Sequence, residues 1–476
     1  MSSDDATLGV SARRKNAYRG LMVVITAVVA LVALPATAQA APDTECRDTI
    51  GPVLIEGTIV VPDGETCTLE GTTVDGMISV GVGSTLIAQG IEVIKPGTVN
   101  IQAHGATRIE VTGLLPPGET EVPEELRTKL LGGIQAVAGG TVIVSDTELG
   151  GGSQALNNSG PVLITDSFVE GALELGKNTG GLSVSGSFLG EGVEISETEG
   201  DVTFTDNTSD ESDLTIAKTK GDVTVENNPS LGENFEVSET TGHVRVFDNA
   251  INDNAEISRN MGGAYVSGNT VGDNLALEIS GGTITVPCDP LDLECLPFEV
   301  LDGAVIVVGN TVGDNVVVLE TGGDVILTDN LVEGSVFVDK TKGEVMADDN
   351  VIGYTPPEPE PDPDPLAVPD PLAVPEIPEV ASTGTLAVSE ASEGAMVQGN
   401  SITGDLEVTE NLVATNVSDN MVGVGITVSK NKDGTEVSNN QAGGNIECWD
   451  NDPPATGIGN MAGTSGGGGA VMGECA

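Results

Sequence analysis

Glycine returns every 20 or 21 positions through most of this 476-residue chain. A series of Asn, Ser and Thr residues follows it in each repeat. A fixed period of this size is typical of a stack of similar supersecondary units, each burying its apolar face only against its neighbours. The glycine series is Gly140, Gly160, Gly180, Gly200, Gly221, Gly242, Gly262, Gly282, Gly303, Gly323 and Gly343, resumed by Gly384 and Gly404. The polar series is Thr147, Ser167, Ser187, Asn207, Asn228, Asn249, Asn269, Asn310, Asn330, Asn350, Asn411, Asn431 and Asn451.

A single repeat, from Gly242 to Gly262, contains two short segments in which apolar and polar residues alternate. This period of two is typical of a half-buried strand, as in Val244-Arg245-Val246. Twenty residues divided into two or three short strands leave no room for a crossover helix. We therefore predict an all-β, single-stranded parallel β-helix with about 20 residues per coil. At this period, residues 50 to 460 form roughly 17 to 18 coils, in a rod about 80 Å long with strands about 4.8 Å apart.

Equivalent positions of successive coils should form columns. We expect Asn to occupy left-handed corner positions and to hydrogen-bond with the Asn above and below. A second polar column is predicted two residues before the glycine. Phe168 and Phe188, twenty residues apart, should stack as a pair in the core. The second column consists of Asn178, Thr198, Thr219, Thr240, Asn260, Ser280, Thr321 and Thr341.

Repeated Gly-Asp-Val-x-Val-x-x-Asn units and the closing run Gly-Asn-Ile-Glu-Cys-Trp-Asp-Asn carry a family resemblance. The chain resembles the right-handed parallel β-helix (pectate-lyase-like) superfamily over residues 50 to 460. More narrowly, it resembles uncharacterised secreted bacterial β-helix proteins. The resemblance implies a right-handed coil, and the narrower group implies no particular activity.

Residues 1–40 have the pattern of a signal peptide, with basic residues, an apolar run from Leu21 to Leu34, and Ala38-Gln39-Ala40 before Ala41. We expect an exported protein, extracellular or on the cell surface, without a retained membrane span.

Residues 41–113 should form a cap and the first coils, and 114–131 a loop with a short helix begun by Pro123. Coils should fill 132–353 and 381–460, separated by a Pro- and acid-rich insertion at 354–380. This insertion is either a docking arm or a tolerated surface insertion. Residues 461–476 should be a Gly-rich tail closed by a disulfide.

Six cysteines follow the signal segment, an even number that suits an oxidising compartment. Their positions favour three local disulfides, one in the first coil, one across an insertion and one in the last coil. The spacing has no zinc-binding pattern. The pairs are Cys46 with Cys67, Cys288 with Cys295, and Cys448 with Cys475.

Removing residues 1–40 takes four basic and two acidic residues from totals of 18 and 73, which leaves 14 against 71. So acidic a surface disfavours nucleic acid, anionic lipid and polyuronate as partners. It attracts cations, and an acidic column is predicted on the outer face of one strand. No cofactor is certain, and Ca²⁺ is the cation that oxygen ligands would favour. The alternative is a merely solubilising acidic surface. The acidic column is Glu174, Glu194, Glu236 and Glu256, interrupted by Thr215.

Catalytic candidates are few. His243 and Arg245 could form a weak cluster with Asp222 one coil below, and Asp201 with Asp222 could act as paired carboxylates. No catalytic residue is assigned from these patterns. Exposed aromatic residues that could hold a sugar, Trp449, Tyr265 and Tyr354, fall in no column.

The sequence favours a non-enzymatic structural or adhesin-like surface-interaction protein, whose partner is cell-envelope or extracellular polysaccharide or protein. The alternative is a polysaccharide lyase or glycoside hydrolase on a β-helix scaffold. A third interpretation is an assembly module, because the outward positions Val317 and Phe337 are apolar where earlier coils carry Glu.

Overall fold

The computed structural model describes residues 42–209, 212–279, 283–285, 299–302, 304–354, 383–463 and 468–476. In these ranges the chain is a parallel β-solenoid of about 18 turns with about 20 residues per turn, as the period predicts. Each coil passes through a first face, a short second face and a third face. Strands pair in parallel with their equivalents in the next coil, for example Val244 with Ala264.

Alternating Val, Ile and Leu residues place one set of side chains inside the coil and the other outside. The 18 first-face strands are Thr49–Ile50, Thr66–Glu70, Thr85–Gln89, Arg108–Thr112, Thr141–Ser145, Val162–Thr165, Leu182–Ser185, Val202–Thr205, Val223–Glu226, Val244–Phe247, Ala264–Ser267, Val305–Val308, Val325–Thr328, Val345–Asp348, Ala395–Gln398, Thr415–Ser418, Thr435–Ser438 and Thr456–Ile458.

The second face consists of strands of two or three residues in two eight-stranded runs, with isolated bridges continuing the pairing between them. These strands are Leu54–Glu56, Thr73–Asp75, Glu92–Val93, Thr128–Leu130, Thr147–Leu149, Phe168–Val169, Phe188–Leu189, Thr208–Ser209, Ala250–Ile251, Thr270–Val271, Thr311–Val312, Leu331–Val332, Val351–Ile352, Ser401–Ile402, Met421–Val422 and Gln441–Ala442.

The third face has 19 strands and carries the predicted acidic column. They are Thr44–Glu45, Ile59–Val61, Ile78–Val80, Val99–His104, Gly133–Val137, Ser153–Leu156, Leu173–Gly176, Val193–Ser196, Leu214–Ala217, Phe235–Ser238, Ala255–Asn260, Leu275–Ile279, Val316–Leu319, Val336–Asp339, Leu386–Ser389, Leu406–Thr409, Ile426–Ser429, Ile446–Trp449 and Val471–Gly473.

The interior is one continuous apolar core, with Phe204 and Phe235 among its largest fully buried side chains. Phe168 and Phe188 stack as expected, with ring centroids 4.8 Å apart. Their predicted place in the core is wrong, because both side chains point outward from the second face and Phe168 is exposed. Position in the strand decides the side, since neighbouring residues face opposite ways.

Buried asparagines form a hydrogen-bonded ladder along the corner after the first face. In this first ladder the backbone N–H and side-chain amide of Asn249 both donate to Oδ1 of Asn269, at 3.0 and 2.9 Å. The ladder Asn residues are not left-handed, contrary to expectation. The left-handed residue precedes each of them, as Asp248 does with φ of 56°. The members are Asn207, Asn228, Asn249, Asn269, Asn310, Asn330, Asn350, Asn400, Asn420, Asn440 and Asn460.

A second ladder follows the third face, but its buried positions hold different residues along the rod. Asn158 donates to Asn178, and Asn411 to Asn431, whereas threonines occupy several coils between them. Ile279 takes the position predicted for Ser280, because that coil is one residue shorter at the corner. Ser280 itself lies outside the described residues. The second-ladder positions are Asn158, Asn178, Thr198, Thr219, Thr240, Asn260, Ile279, Thr321, Thr341, Ala391, Asn411, Asn431 and Asn451.

The predicted columns are wrong after residue 353. Asn350 donates to Asn400 rather than to Asn411, which belongs to the second ladder. Gly384 and Gly404 likewise lie at the corner before the third face, where Gly404 follows Gly384. The connection from Ile352 to Leu386 has 30 residues more than the one from Val332 to Val336, about one and a half coils. An insertion of that length preserves the spacing of polar residues but exchanges the two corners.

An earlier insertion has nearly the length of a coil. Val266 pairs directly with Val307, and Asn269 donates to Asn310, 41 residues further on. The coils on either side therefore pair directly with each other, although Gly282 and Gly303 keep the period in the sequence. Among the described residues between these coils, Thr283–Thr285 pairs antiparallel with Glu299–Asp302.

Disulfides join Cys46 to Cys67 in the first coils and Cys448 to Cys475 in the last, as predicted. Cys288 and Cys295 lie outside the described residues, as do the predicted signal segment 1–40 and residues 355–380 of the Pro- and acid-rich insertion. The helix expected after Pro123 is a single 3₁₀ turn, Glu124–Leu126. Residues 471–473 of the predicted tail form the last strand of the third face.

Candidate functional site

The third-face acidic column is in register as the period predicts. Glu174 pairs with Glu194, then come Thr215, Glu236 and Glu256 in consecutive coils. Their side chains are half-buried or exposed on the outer surface. Below the column, the side-chain amide of Gln154 donates to Oε2 of Glu174 at 2.6 Å. The column therefore begins where a ladder of glutamine side chains ends, formed by Gln102, Gln135 and Gln154.

A second acidic column, which the sequence analysis missed, follows the adjoining corner. Glu233, Asp253, Asp273 and Asp314 are joined in successive coils, because each backbone N–H donates to the carbonyl of the preceding member. We call these four residues the corner acidic column. Their spacing of 20, 20 and 41 residues was the available signal. This spacing was hidden by the insertion of 21 residues between Asp273 and Asp314 and by the turn-like sequence around the four acidic residues.

His243, Arg245 and Asp222 form the predicted cluster on the first face. The ring Nδ1 of His243 lies 3.0 Å from Oδ1 of Asp222, and Nη1 of Arg245 lies 3.3 Å from Oδ2. Partial burial acts to raise the pKa of Asp222, but hydrogen bonds from the backbone and ring of His243, together with the nearby Arg245, hold it below its usual range. Asp222 is therefore an ionised carboxylate at neutral pH and is unsuited to act as a general acid.

Asp201 and Asp222 are adjacent, but the backbone uses their carboxylates. Oδ1 of Asp201 accepts a hydrogen bond from the N–H of Asp222 at 3.0 Å. Oδ1 of Asp222 accepts one in turn from the N–H of His243. The same contact recurs between Asp324 and Glu344. A turn-stabilising role accounts for this pair.

Two other carboxyl groups are destabilised in their ionised form. Burial and the neighbouring Asp166 raise the pKa of Asp146. Burial, Asp206 and Asp248 raise the pKa of Glu226. The acidic residues beside the first ladder thus repel one another across coils.

Basic residues are concentrated on the edge that flanks the second ladder, which composition alone did not predict. Eight of the 14 Lys and Arg residues after position 40 lie there, directly before or after a buried ladder position. Several pair with acids of the preceding coil, as in Arg259 with Glu239 at 3.0 Å and Lys430 with Glu410 at 2.7 Å. We call this row the basic edge. It comprises Lys177, Lys218, Lys220, Arg259, Lys340, Lys342, Lys430 and Lys432.

A groove of about 520 Å³ lies on the basic edge, lined by Lys340, Lys342, Lys430 and Lys432 with Leu412 between them. We call it the lysine groove. A second groove of about 600 Å³ lies under the 114–127 loop, where Arg127 faces Asp146 and Asp166.

The apolar strip expected at Val317 and Phe337 is present on the third face. The two residues stack in register between Ala276 and Ala387, and their side chains are half-buried. The first face of the same coils is also apolar outside. Its outward column is Tyr265, Ile306, Ile326, Met346 and Met396.

Within the described ranges, no three His, Cys, Asp or Glu side chains converge as ligands for one metal ion. In the same ranges no helix has the length and apolar character of a membrane span. A scan against protein-family models and searches of curated proteins and of solved structures find no match to this chain.

Proposed function

We propose that the protein is an exported, non-enzymatic β-solenoid that interacts with cell-envelope or extracellular material, with its acidic faces neutralised by divalent cations such as Ca²⁺. The two disulfides support an oxidising destination, because such bonds persist outside the reducing cytosol. A long coil with exposed outer faces offers an extended binding surface.

The observation that carries this proposal is the pair of adjacent acidic columns. Carboxylates in neighbouring coils are about 4.8 Å apart, and like charges at that distance repel by about 1 kcal/mol even in water. Glu236 and Glu256 stand beside Glu233 and Asp253, so the repulsion acts along and across the coils. Carboxylate oxygens are the ligands that Ca²⁺ prefers, and a cation between columns would relieve it.

Thermal melting with calcium chloride or sodium chloride at matched ionic strength tests the cation part. Calcium should raise the melting temperature more than sodium does. The double substitution Glu236→Gln and Glu256→Gln should raise it without calcium and reduce the calcium effect. Glu119→Gln with Glu121→Gln, on the exposed loop, is the control. Equal shifts of the melting temperature with both salts would contradict a specific calcium effect. The acidic surface would then serve solubility alone.

Co-sedimentation of the purified chain with insoluble envelope and extracellular polysaccharide tests the interaction part. We expect the chain to pellet with at least one such material. Recovery of the chain in the supernatant with every material would contradict the proposed interaction.

The second candidate is a polysaccharide-active enzyme, favoured by the cluster of Asp222, His243 and Arg245. An ionised carboxylate beside a basic pair could serve as a base, not as an acid. Incubation with a panel of polysaccharides, followed by product analysis, decides between the two. Product formed by the native chain but not by His243→Ala would establish the enzyme.

A further inference from the structure

The lysine groove spans four successive coils. Backbone hydrogen bonds run from Ser392 to Thr341, from Leu412 to Ala391 and from Lys432 to Asn411, which fixes the order of its residues. Lys340 and Lys342 lie at one end and Lys430 and Lys432 at the other. Three steps of about 4.8 Å place the two ends about 14 Å apart.

The charges in the groove follow a fixed order along the coils. One row reads Lys340, Glu390, Glu410 and Lys430, and the parallel row reads Lys342, Ser392, Leu412 and Lys432. Lys340 and Lys430 are paired with Asp339 and Glu410. In the described part of the chain, no carboxylate lies within salt-bridge distance of Lys342 or Lys432. Each end of the groove therefore offers one ammonium group without an internal partner.

Exposed apolar surface accompanies these charges. Leu412 is 46% exposed between the two ends, and Trp449 is 44% exposed. Trp449 pairs with Ser429, the residue before Lys430, so the indole lies one coil beyond the second lysine pair. It is the only tryptophan in the chain. A large aromatic side chain at the end of a charged groove is a typical anchor in binding sites.

This pattern selects among anionic ligands. Single-stranded nucleic acid carries a phosphate on every nucleotide and would bring phosphates against Glu390 and Glu410. A saccharide chain with sparse anionic groups avoids this repulsion. Its hydroxyl groups can donate to the two glutamates, and its ring faces can pack on Leu412 and Trp449.

We propose that the lysine groove binds an acidic oligosaccharide with sparse anionic groups, which Lys342 and Lys432 hold at the two ends of the groove. The inference rests on the proposed surface-interaction function and names its site and ligand class. It also qualifies the composition argument against acidic polysaccharides, because four lysines line the groove against two glutamates.

Tryptophan fluorescence tests the proposal, because the single indole lies one coil beyond Lys430 and Lys432. The purified chain is titrated with hyaluronan oligosaccharides, which carry a carboxylate on alternate sugars, and with the same oligosaccharides after carboxyl reduction. Chondroitin sulfate oligosaccharides separate sulfate from carboxylate recognition. Poly-glutamate and single-stranded DNA represent the other anionic polymers.

We expect saturable binding of one or both acidic saccharides, and at least tenfold weaker binding by Lys342→Gln with Lys432→Gln. Lys177→Gln with Lys218→Gln, on the same edge outside the groove, should bind as the native chain does. Circular dichroism checks that each variant keeps its β structure.

Equal binding of the carboxyl-reduced saccharide, equal losses in both double variants, or tighter binding of poly-glutamate or DNA would overturn the proposal. So would no binding of any saccharide probe. If the chain still pellets with envelope material in that case, the broader function stands and the assigned site fails. If pelleting also fails, both fail.

Discussion

Each coil contributes one residue to each of two corner ladders, but the two ladders are built differently. From Asn207 to Asn460 the first ladder is continuous, because each backbone N–H donates to Oδ1 of the next asparagine, and from Asn228 onward the side-chain amide does so as well. The second ladder has threonine at positions 198, 219 and 240, and none of these hydroxyl groups has a hydrogen-bond partner among the described protein atoms.

Side-chain length explains the difference. An amide on a two-carbon side chain reaches the neighbouring coil, about 4.8 Å away, and donates and accepts at once. A threonine hydroxyl at the same position does not reach it. Either residue fills the second corner, but in the described coils it is the asparagines that link this corner to the next coil through a side chain. At this second corner the coils with Thr198 and Thr219 are joined by backbone pairing and the apolar core, without an amide link, whereas the first ladder continues through the same coils.

Removing an asparagine from the continuous ladder should have the largest effect. Asn310→Ala takes the acceptor from both nitrogens of Asn269 and the donor from the carbonyls of Val266 and Val308. We expect a loss of about 3 kcal/mol in local stability, since each unsatisfied buried group costs about 1–3 kcal/mol. Hydrogen exchange at the amide of Asn269 measures it.

Thr219→Val is the matched control in the second ladder, because it removes only a hydroxyl without a partner. It should be neutral or slightly stabilising. A cost equal to that of Asn310→Ala would contradict the distinction between the ladders.

The end of the second ladder should show the next largest effect. Oε2 of Glu474 accepts hydrogen bonds from the backbone and side-chain nitrogens of Asn451, at 3.3 and 2.9 Å, and from the N–H of Ala455. We expect Glu474→Ala to cost about 1–2 kcal/mol. Amide exchange at Asn451 measures it, with the exposed Glu436→Ala as control.

The contribution of Glu474 should depend on pH. Desolvation acts to raise its pKa, but the hydrogen bonds from Asn451 and Ala455 outweigh it and lower the pKa. The stabilisation is therefore present above the ordinary carboxyl pKa and is lost as the pH falls through the lowered value. If the difference in stability between the native and Glu474→Ala chains grew on acidification, the result would contradict this role.

Repairing the interrupted ladder should give a smaller gain. Thr240→Asn places an amide where the N–H of Thr219 can donate to it and where it can donate to Asn260, whose Oδ1 already accepts from the N–H of residue 240. We expect a gain of about 1 kcal/mol, measured by amide exchange at Thr219. The exposed Thr241→Asn should give no gain. A loss at position 240 would show that the corner has no room for the amide.

The smallest effect is expected beside the first ladder, at Glu226. Its raised pKa means that the ionised form destabilises the coil, a penalty relieved as the pH falls through that raised value. Glu226→Gln should therefore raise the melting temperature slightly at neutral pH, by a few tenths of a kcal/mol in stability. The advantage should vanish in acid. The exposed Glu170→Gln should show neither effect.

The sequence predicted those features that depend on spacing within an uninterrupted run of coils. The register of Glu194 with Glu174 is one, and the two terminal disulfides are another. Ladder assignments failed where insertion length imitated the period, as at Asn400. The basic edge was missed because total charge treats the surface as uniform. Lys177 and Lys218 fall into one row only when coils are stacked, with Glu197 between them.

The two terminal disulfides have a consequence for the ends of the stack. Among the described strands, the outermost ones, Thr44–Glu45 and Val471–Gly473, have a neighbour on only one side, and such strands are templates for pairing with another chain. Cys46 and Cys475 fasten the chain across these boundaries. Reduction would release the terminal segments at both ends of the stack, where fraying would expose the apolar core beside the first and last coils.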